Sequence, residues 1–478
     1  MQMVGMPYSR AIIGWTLVFA FALSLRCAGG IWWQARQADE NAFAFGDSFS
    51  YWVLGHQIYK GAPYQFGGEN AKISRTPGYP ILIAAWHKLF AGKPSVVSVR
   101  MLNAILGACT VVAIGILGTL LFDHRAGVCA AILASIYPGG IVMSILILSE
   151  GPFCLVMILQ LLAFYYVLRD ASSAKDTSLR WRAAILTGVA AAVAVLIRPS
   201  WLLFTPLLLA VVLLCSDQRK EFCRQGILIM LAFCLTMSPW WVRNYRVVGH
   251  FVPTTLQVGA SLYDGLHENA TGGSEMSFVL GFYRAQNIDD AKLATPPADS
   301  YEFRLNTRMR DAALDWAGAN PTQVLALAGT KFVRLWRPLA SDKVDFYETN
   351  SVGDVSGFDA GGASVAMRWG MAAGYLGIVA LALYGLVLLI KRRKSNQIDG
   401  SPSTQAPVLV AVLLSISPAI YFTALHMVFV SSIRYRQPAV LVLTLLAGLA
   451  LSYGLQRCAC GRRLTAWFAA PAEGGIDA

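Results

Sequence analysis

Charge is what this sequence has least of. Only 14% of the residues are charged, against 56% hydrophobic, and the mean hydropathy is +0.52. A water-soluble domain carries about a quarter charged residues, so a soluble class is excluded for most of the 478 residues. Cysteine chemistry is thin as well. Most of the nine cysteines fall in or beside apolar runs, as Cys109, Cys154 and Cys234 do, where a thiol packs as a small apolar group. Cys458-Ala459-Cys460 is the one close pair, and no second Cys or His pair accompanies it as a zinc site requires. His56, His87, His250, His267 and His426 show neither i, i+4 pairing nor a shared carboxylate spacing; His267, followed by Glu268, is the one kept as a substrate contact. Gly92-Lys93 lacks the upstream glycine of a phosphate-binding loop and has Pro94 where Ser or Thr is needed. No repeat of fixed period is present.

What is present is apolar sequence in long runs. Crossing the hydrocarbon takes about 20 apolar residues, and on that scale ten spans are expected, near 11–32, 97–121, 126–147, 151–168, 183–199, 200–215, 226–242, 365–390, 407–430 and 438–456. The 13 Trp and 18 Tyr suit a chain with two lipid–water boundaries. The net charge of +12 does not make nucleic acid a partner, because the basic residues sit in short clusters between spans. Those clusters alternate. Arg10, Arg125, the 169–182 connection, Arg219-Lys220, Lys391-Arg392-Arg393-Lys394 and Arg462-Arg463 all fall on one side. The positive-inside rule makes that side cytoplasmic, with both termini there, in a multi-pass protein of the cytoplasmic membrane.

Three of the outward connections stand out, and the chain divides into 1–242 with a first outer loop at 33–96, a large outer loop at 243–364, and a C-terminal membrane module at 365–478. Pro80–Phe90 is too short to span and places Trp86, His87 and Lys88 on an apolar helix, so it is expected to lie along the interface. Pro321–Trp336 reads in the same way, with Lys331 and Arg334 interleaved among Phe332, Leu335 and Trp336. The third connection is Ser431-Ser432-Ile433-Arg434-Tyr435-Arg436-Gln437-Pro438.

The outward side holds charges that orientation does not explain. Arg26, Arg198, Arg243, Arg246, Arg434 and Arg436 oppose the positive-inside trend, and charge at membrane depth is costly enough to mark functional candidates. The arginine fork suits phosphate oxygens; the plainer role is snorkelling to headgroups. Asp47 and Glu150 are the acidic counterparts, each at an outer corner. A carboxylate can take the proton of an acceptor hydroxyl, and a phosphate leaving group needs little help from an acid. One base with a cationic cradle is therefore a sufficient kit for moving a group off a lipid phosphate. The plainer role of either acid is helix capping.

Taken in order, these pieces resemble the GT-C class of integral-membrane glycosyltransferases, in particular the group of dolichyl-phosphate-mannose protein mannosyltransferases and the bacterial aminoarabinose transferase. The matching pieces are Asp47 with Tyr51, Arg75-Thr76-Pro77-Gly78-Tyr79-Pro80, Arg100 to Asn103 and Gly107, Tyr137-Pro138, Ser149-Glu150, Arg198-Pro199, Pro239-Trp240-Trp241-Val242-Arg243-Asn244-Tyr245, Gly249-His250-Phe251-Val252-Pro253 and Arg434-Tyr435-Arg436. The resemblance implies an all-α polytopic fold with juxtamembrane helices in the first and the large outer loops, and an inverting transfer at the outer face. It places the catalytic aspartate at Asp47 and the second acid at Glu150. Tyr51, Arg75, Tyr79, Arg198, Arg243, His267, Arg434, Tyr435 and Arg436 become substrate-binding candidates.

The implied donor is a polyprenyl-phosphate sugar and the acceptor a glycan, lipid or protein. Relatives often keep two acids close together in the first loop, whereas here Asp39 and Glu40 lie upstream of Asp47. No cofactor is required, and a divalent metal stays open. The rival classes are a surface-polysaccharide ligase or polymerase using diphosphate-linked donors, and a flippase for lipid-linked sugars.

Overall fold

The computed structural model describes residues 8–35, 43, 46–67, 71–90, 95–169, 177–295, 297–339, 365–399 and 407–457, and no strand occurs among them. Asp39, Glu40 and Cys458-Ala459-Cys460 lie outside the described residues. The first apolar run forms α1 (Tyr8–Gln34), followed by two short helices, α2 (Gly46–Lys60) and α3 (Gly78–Leu89). Next come α4 (Val96–Leu121), α5 (His124–Ile136), α6 (Pro138–Ile145), α7 (Glu150–Leu168), α8 (Thr177–Ile197), α9 (Phe204–Cys215) and α10 (Arg219–Val248). The large connection folds as α11 (Val258–Gly265), α12 (Val279–Ala291), α13 (Tyr301–Ala319) and α14 (Pro321–Trp336). After it come α15 (Val365–Asp399), α16 (Val408–Val428) and α17 (Gln437–Arg457).

Among the described residues, eight helices are long and apolar enough to cross a membrane: α1, α4, α7, α8, α10, α15, α16 and α17. The other two expected spans differ in form. The third consists of α5 and α6, which reach the required length only together and are bent by 57°. The sixth is a shorter apolar helix over Pro199–Cys215. The expected all-α polytopic class is thus observed.

The bend has a covalent cause. Pro138 has no N–H, so the carbonyl of Ala134 loses its partner one turn back. Arg26 supplies donors instead: Nη2 lies 3.3 Å from the Ala134 oxygen, Nη1 3.4 Å from that of Ser135, and Nε 3.2 Å from Ser144 Oγ. The close fit needs Gly107, where a Cβ would stand 2.7 Å from Arg26 Nε. Arg26, expected as an outward functional charge, is thus a buried strut across a broken span. The break is filled by protein and satisfied by it, which is how non-helical backbone is tolerated at membrane depth.

The helices α2 and α3 pack on each other at one end of the bundle, burying Tyr51, Leu54, Tyr79 and Ile83. Gly78 starts α3 against the last turn of α8, so closely that a Cβ would meet the Leu196 carbonyl oxygen at 2.6 Å. This contact sets the 75–80 corner beside Arg198. α14 buries Lys331 and Leu335 on one side and leaves Leu325 and Val333 exposed on the other. That division is the pattern of a helix lying along a lipid surface.

Candidate active site

Four separate connections bring charge to one end of the bundle. Asp47 stands in the first turn of α2 and Glu150 opens α7, so both carboxylates sit at helix N-termini, where the backbone dipole favours negative charge. The plainer alternative for Glu150, helix capping, is not what is seen: Ser149 occupies the cap position, without a side-chain cap bond. The cations come from the corner before α3 (Arg75), from the α8–α9 break (Arg198) and from the α16–α17 loop (Arg434).

Arg434 joins the two acids. Its Nη2 is 2.8 Å from Asp47 Oδ2 and its Nε is 2.9 Å from Glu150 Oε1. Arg75 closes the other side of Asp47 as an ion pair, while Arg198 Nη1 lies 3.0 Å from Glu150 Oε1. Arg75 is fixed in turn by Ser50 Oγ at 3.2 Å and by Gln257 Oε1 at 2.9 Å. The Glu150 side chain is only 1% exposed and that of Asp47 16%. Burial by itself pushes the Asp47 carboxyl up, but Arg75 and Arg434 outweigh it and hold it well below the usual carboxylate range. Asp47 is an anion at neutral pH, clamped by two cations.

Aromatic rings build the walls. Arg75 lies 5.4 Å over the Tyr51 ring, which meets Tyr79 edge-on at 5.2 Å. Burial raises the Tyr51 hydroxyl above its ordinary value, so it stays protonated. Tyr79 Oη is 3.1 Å from Asn103 Oδ1, and Asn103 Nδ2 donates to the Leu146 carbonyl at 2.9 Å. Arg100 donates to the Ile145 carbonyl at 2.7 Å. These bonds steady the α6–α7 turn from which Glu150 projects. On the far side, the guanidinium carbons of Arg434 and Arg198 lie 5.0 and 5.6 Å from the centre of the Tyr435 ring.

The structure therefore gathers Asp47, Glu150, Tyr51, Arg75, Tyr79, Arg198, Arg434 and Tyr435. Three other expected contacts are placed elsewhere. Arg243 donates to the carbonyls of Tyr64 and Lys72, at 3.2 and 2.9 Å, and stacks over Trp240, clamping the α2–α3 connection to α10. Arg436 donates to the Leu335 and Arg337 carbonyls and lies 3.7 Å over the Tyr375 ring, tying the end of α14 to α15. His267 stacks on Tyr263, and its Nδ1 is 2.9 Å from that residue's carbonyl.

Sequence reasoning missed Ser50 and Gln257. Ser50 carried a signal, being three residues after Asp47 on one helix; Gln257, neutral and 182 positions from Arg75, carried none. Among the described residues, no group of three or more His, Cys, Asp and Glu side chains stands close enough to hold a metal ion. A cavity of about 910 Å3 opens elsewhere, against Val248, Asp290, Asp299, Tyr301 and Arg304. Its acids are already paired, Asp290 with Arg304 and Asp299 with His250.

This bundle has the GT-C fold of integral-membrane glycosyltransferases, in agreement with the motifs. Residues 74–242, just over a third of the chain, match the family model for dolichyl-phosphate-mannose-protein mannosyltransferases; the match includes Arg75, Tyr79, Glu150 and Arg198. The oligosaccharyltransferase of Archaeoglobus fulgidus in its apo form superposes with a TM-score of 0.58 at 15% identity, over 97% of this chain and 52% of its own. A structure of AglB from the same organism, in complex with an inhibitory peptide and a dolichol-phosphate, gives 0.55 at the same identity and coverage. The chain thus spans about half the length of these structures. ArnT from Cupriavidus metallidurans bound to undecaprenyl phosphate is similar over 92% of this chain and 78% of its own at 13% identity, with a TM-score of 0.41. No curated protein matches the chain in sequence.

Proposed function

We propose that this protein is a glycosyltransferase that moves a sugar from a polyprenyl-monophosphate donor to an acceptor at the outer face of the cytoplasmic membrane. The observation that carries the reading is the Arg434 bridge between Asp47 and Glu150, flanked by Arg75 and Arg198. Two carboxylates against three guanidiniums leave one positive charge. A polyprenyl-phosphate sugar is a phosphodiester with one negative charge, so it neutralises the cluster. A diphosphate-linked donor would leave one negative charge over, which favours the monophosphate donor above a ligase or polymerase of the diphosphate class.

The arrangement also suggests how Asp47 becomes a base. Held by two arginines, its carboxylate is a weak one. A donor phosphate entering beside Arg434 competes for that guanidinium, frees one side of Asp47 and strengthens it. The acceptor hydroxyl then attacks the anomeric carbon while its proton passes to Asp47. The bond from the anomeric carbon to the phosphate oxygen breaks on the opposite face, with inversion. The polyprenyl phosphate leaves with the electron pair, and Arg434 and Arg198 hold its charge. Glu150 keeps those two arginines in register. The large outer connection, which reaches the site through Gln257 on Arg75, selects the acceptor.

The test is transfer of radiolabelled sugar in membranes that contain this protein. Cell-derived polyprenyl-phosphate and polyprenyl-diphosphate donors are offered separately to wild type and to Asp47→Asn at equal expression. Asp47-dependent transfer from the monophosphate pool supports the reading. Transfer from the diphosphate pool alone moves the protein to the ligase class, and no transfer from either pool favours a flippase.

A further inference from the structure

His426 lies near the end of α16 with its ring buried, 6% exposed. Its Nδ1 is 2.8 Å from the Val430 carbonyl oxygen. A carbonyl bonds only to a donor, so the neutral imidazole carries its proton on Nδ1 and a lone pair on Nε2. That Nε2 is buried and has no hydrogen-bond partner among the described residues. An acceptor shut away from water without a partner is uncommon in a folded protein and calls for an explanation.

Its surroundings supply one. The imidazole lies flat on Tyr435, with ring centres 4.6 Å apart and planes within 6°. Tyr435 is the ring over which Arg434 and Arg198 are held. His426 therefore packs on the Tyr435 wall of the cation–carboxylate site, within the electrostatic reach of Arg198, Glu150 and Arg434, and brings a buried acceptor there.

Given the proposed donor, its chemistry narrows what Nε2 can meet. Phosphodiester oxygens are acceptors and cannot bond a lone pair. The polyprenyl chain has no polar group. Within the donor molecule, the hydroxyls of the sugar are the hydrogen-bond donors that remain. We infer that Nε2 of His426 accepts a hydrogen bond from a hydroxyl of the transferred sugar, which makes His426 a specificity-determining residue that positions the sugar ring. The inference rests on the proposed donor class, and its test separates the two.

Binding is measured on the full-length protein in nanodiscs, without acceptor. The probes are undecaprenyl phosphate and undecaprenyl phosphate carrying mannose, glucose or aminoarabinose. His426→Phe keeps a ring to stack on Tyr435 and removes Nε2. The expected result is unchanged affinity for the sugar-free lipid and about tenfold weaker affinity for the preferred sugar-bearing lipid, the size of one hydrogen bond. His426→Gln, which keeps an acceptor oxygen, recovers part of that loss. One monodeoxy form of the preferred sugar binds wild type about tenfold more weakly and is not discriminated by His426→Phe, as a coupled pair requires. Equal losses for the sugar-free and sugar-bearing lipids assign the ring to packing and overturn the inference. A wild type that binds the sugar-free lipid and gains nothing from any of the sugars overturns it too, and leaves the functional reading in place. A wild type that binds neither kind of lipid removes both.

Discussion

Arg434 Nη2 lies 2.8 Å from Asp47 Oδ2, although 387 positions separate the two residues, and the same guanidinium reaches Glu150. Asp47 is thus a carboxylate whose charge is taken up before substrate arrives. On the proposed mechanism, replacing it by Asn removes the base and frees Arg434 for the donor phosphate. Transfer by Asp47→Asn is expected to fall by about 100-fold or more, the range of a general base. Affinity for sugar-free undecaprenyl phosphate is expected to hold or tighten. A parallel loss of transfer and lipid binding would remove Asp47 from catalysis and make it a structural anion.

The closing Arg434-Tyr435-Arg436 motif splits into different tasks. Arg434 spans two carboxylates with two nitrogens of one fork, which a lysine ammonium, a single point charge, does not reproduce. Arg434→Lys is expected to lower transfer by about 100-fold through loss of the bridge and of phosphate stabilisation. Arg436→Lys meets no acid of the site. It loosens the end of α14 from α15, so thermal stability in detergent falls while lipid affinity stays within a few-fold. Reversed phenotypes would return the donor phosphate to Arg436.

Arg26 gives a prediction about the bundle alone. Arg26→Met keeps a long side chain and removes the donors to the Ala134 and Ser135 carbonyls. Each carbonyl left bare costs about 1–3 kcal/mol. The melting temperature in detergent is expected to drop clearly, with KM for the donor unchanged in membranes at low temperature. A variant of unaltered stability but raised KM would place Arg26 on the substrate path.

Much of this was legible in the sequence because a bilayer simplifies the reading. Spans appear as apolar runs, and α14 was expected at the bounds it has, because its charges interleave with aromatics at helical spacing. Among the clustered charges, Arg198 and Arg434 were readable as arginines placed against the orientation rule and Asp47 and Glu150 as acids at outer corners, while Arg75 came only with the resemblance. What stayed hidden depends on backbone. Arg26, Arg243 and Arg436 look alike as outward arginines, yet each ends on carbonyl oxygens, which no residue code marks. The bend at Tyr137 was hidden for a related reason: Pro138 shows where a helix loses a bond, while only packing shows that an arginine more than 100 positions away replaces it.

Lys331 offers a test by pH. It is buried in α14, and its ammonium donates to the carbonyls of Gly265 at 2.8 Å and Val428 at 2.6 Å. Burial lowers its pKa from 10.5 to about 8, against a smaller upward pull from Asp264. Between those values the unfolded chain holds a proton that the folded protein has given up, so unfolding takes up a proton and stability rises with pH. Below the lower value both states are protonated, and the cost of burying the ammonium is constant. The melting temperature of wild type relative to Lys331→Met is therefore flat from about pH 6 to 7.5 and increases from about pH 8 to 10. Subtracting the variant removes the tyrosines and lysines common to both proteins. A difference that stays constant across the upper window would mean that Lys331 keeps its ordinary pKa and is not sealed between α14 and the end of α16.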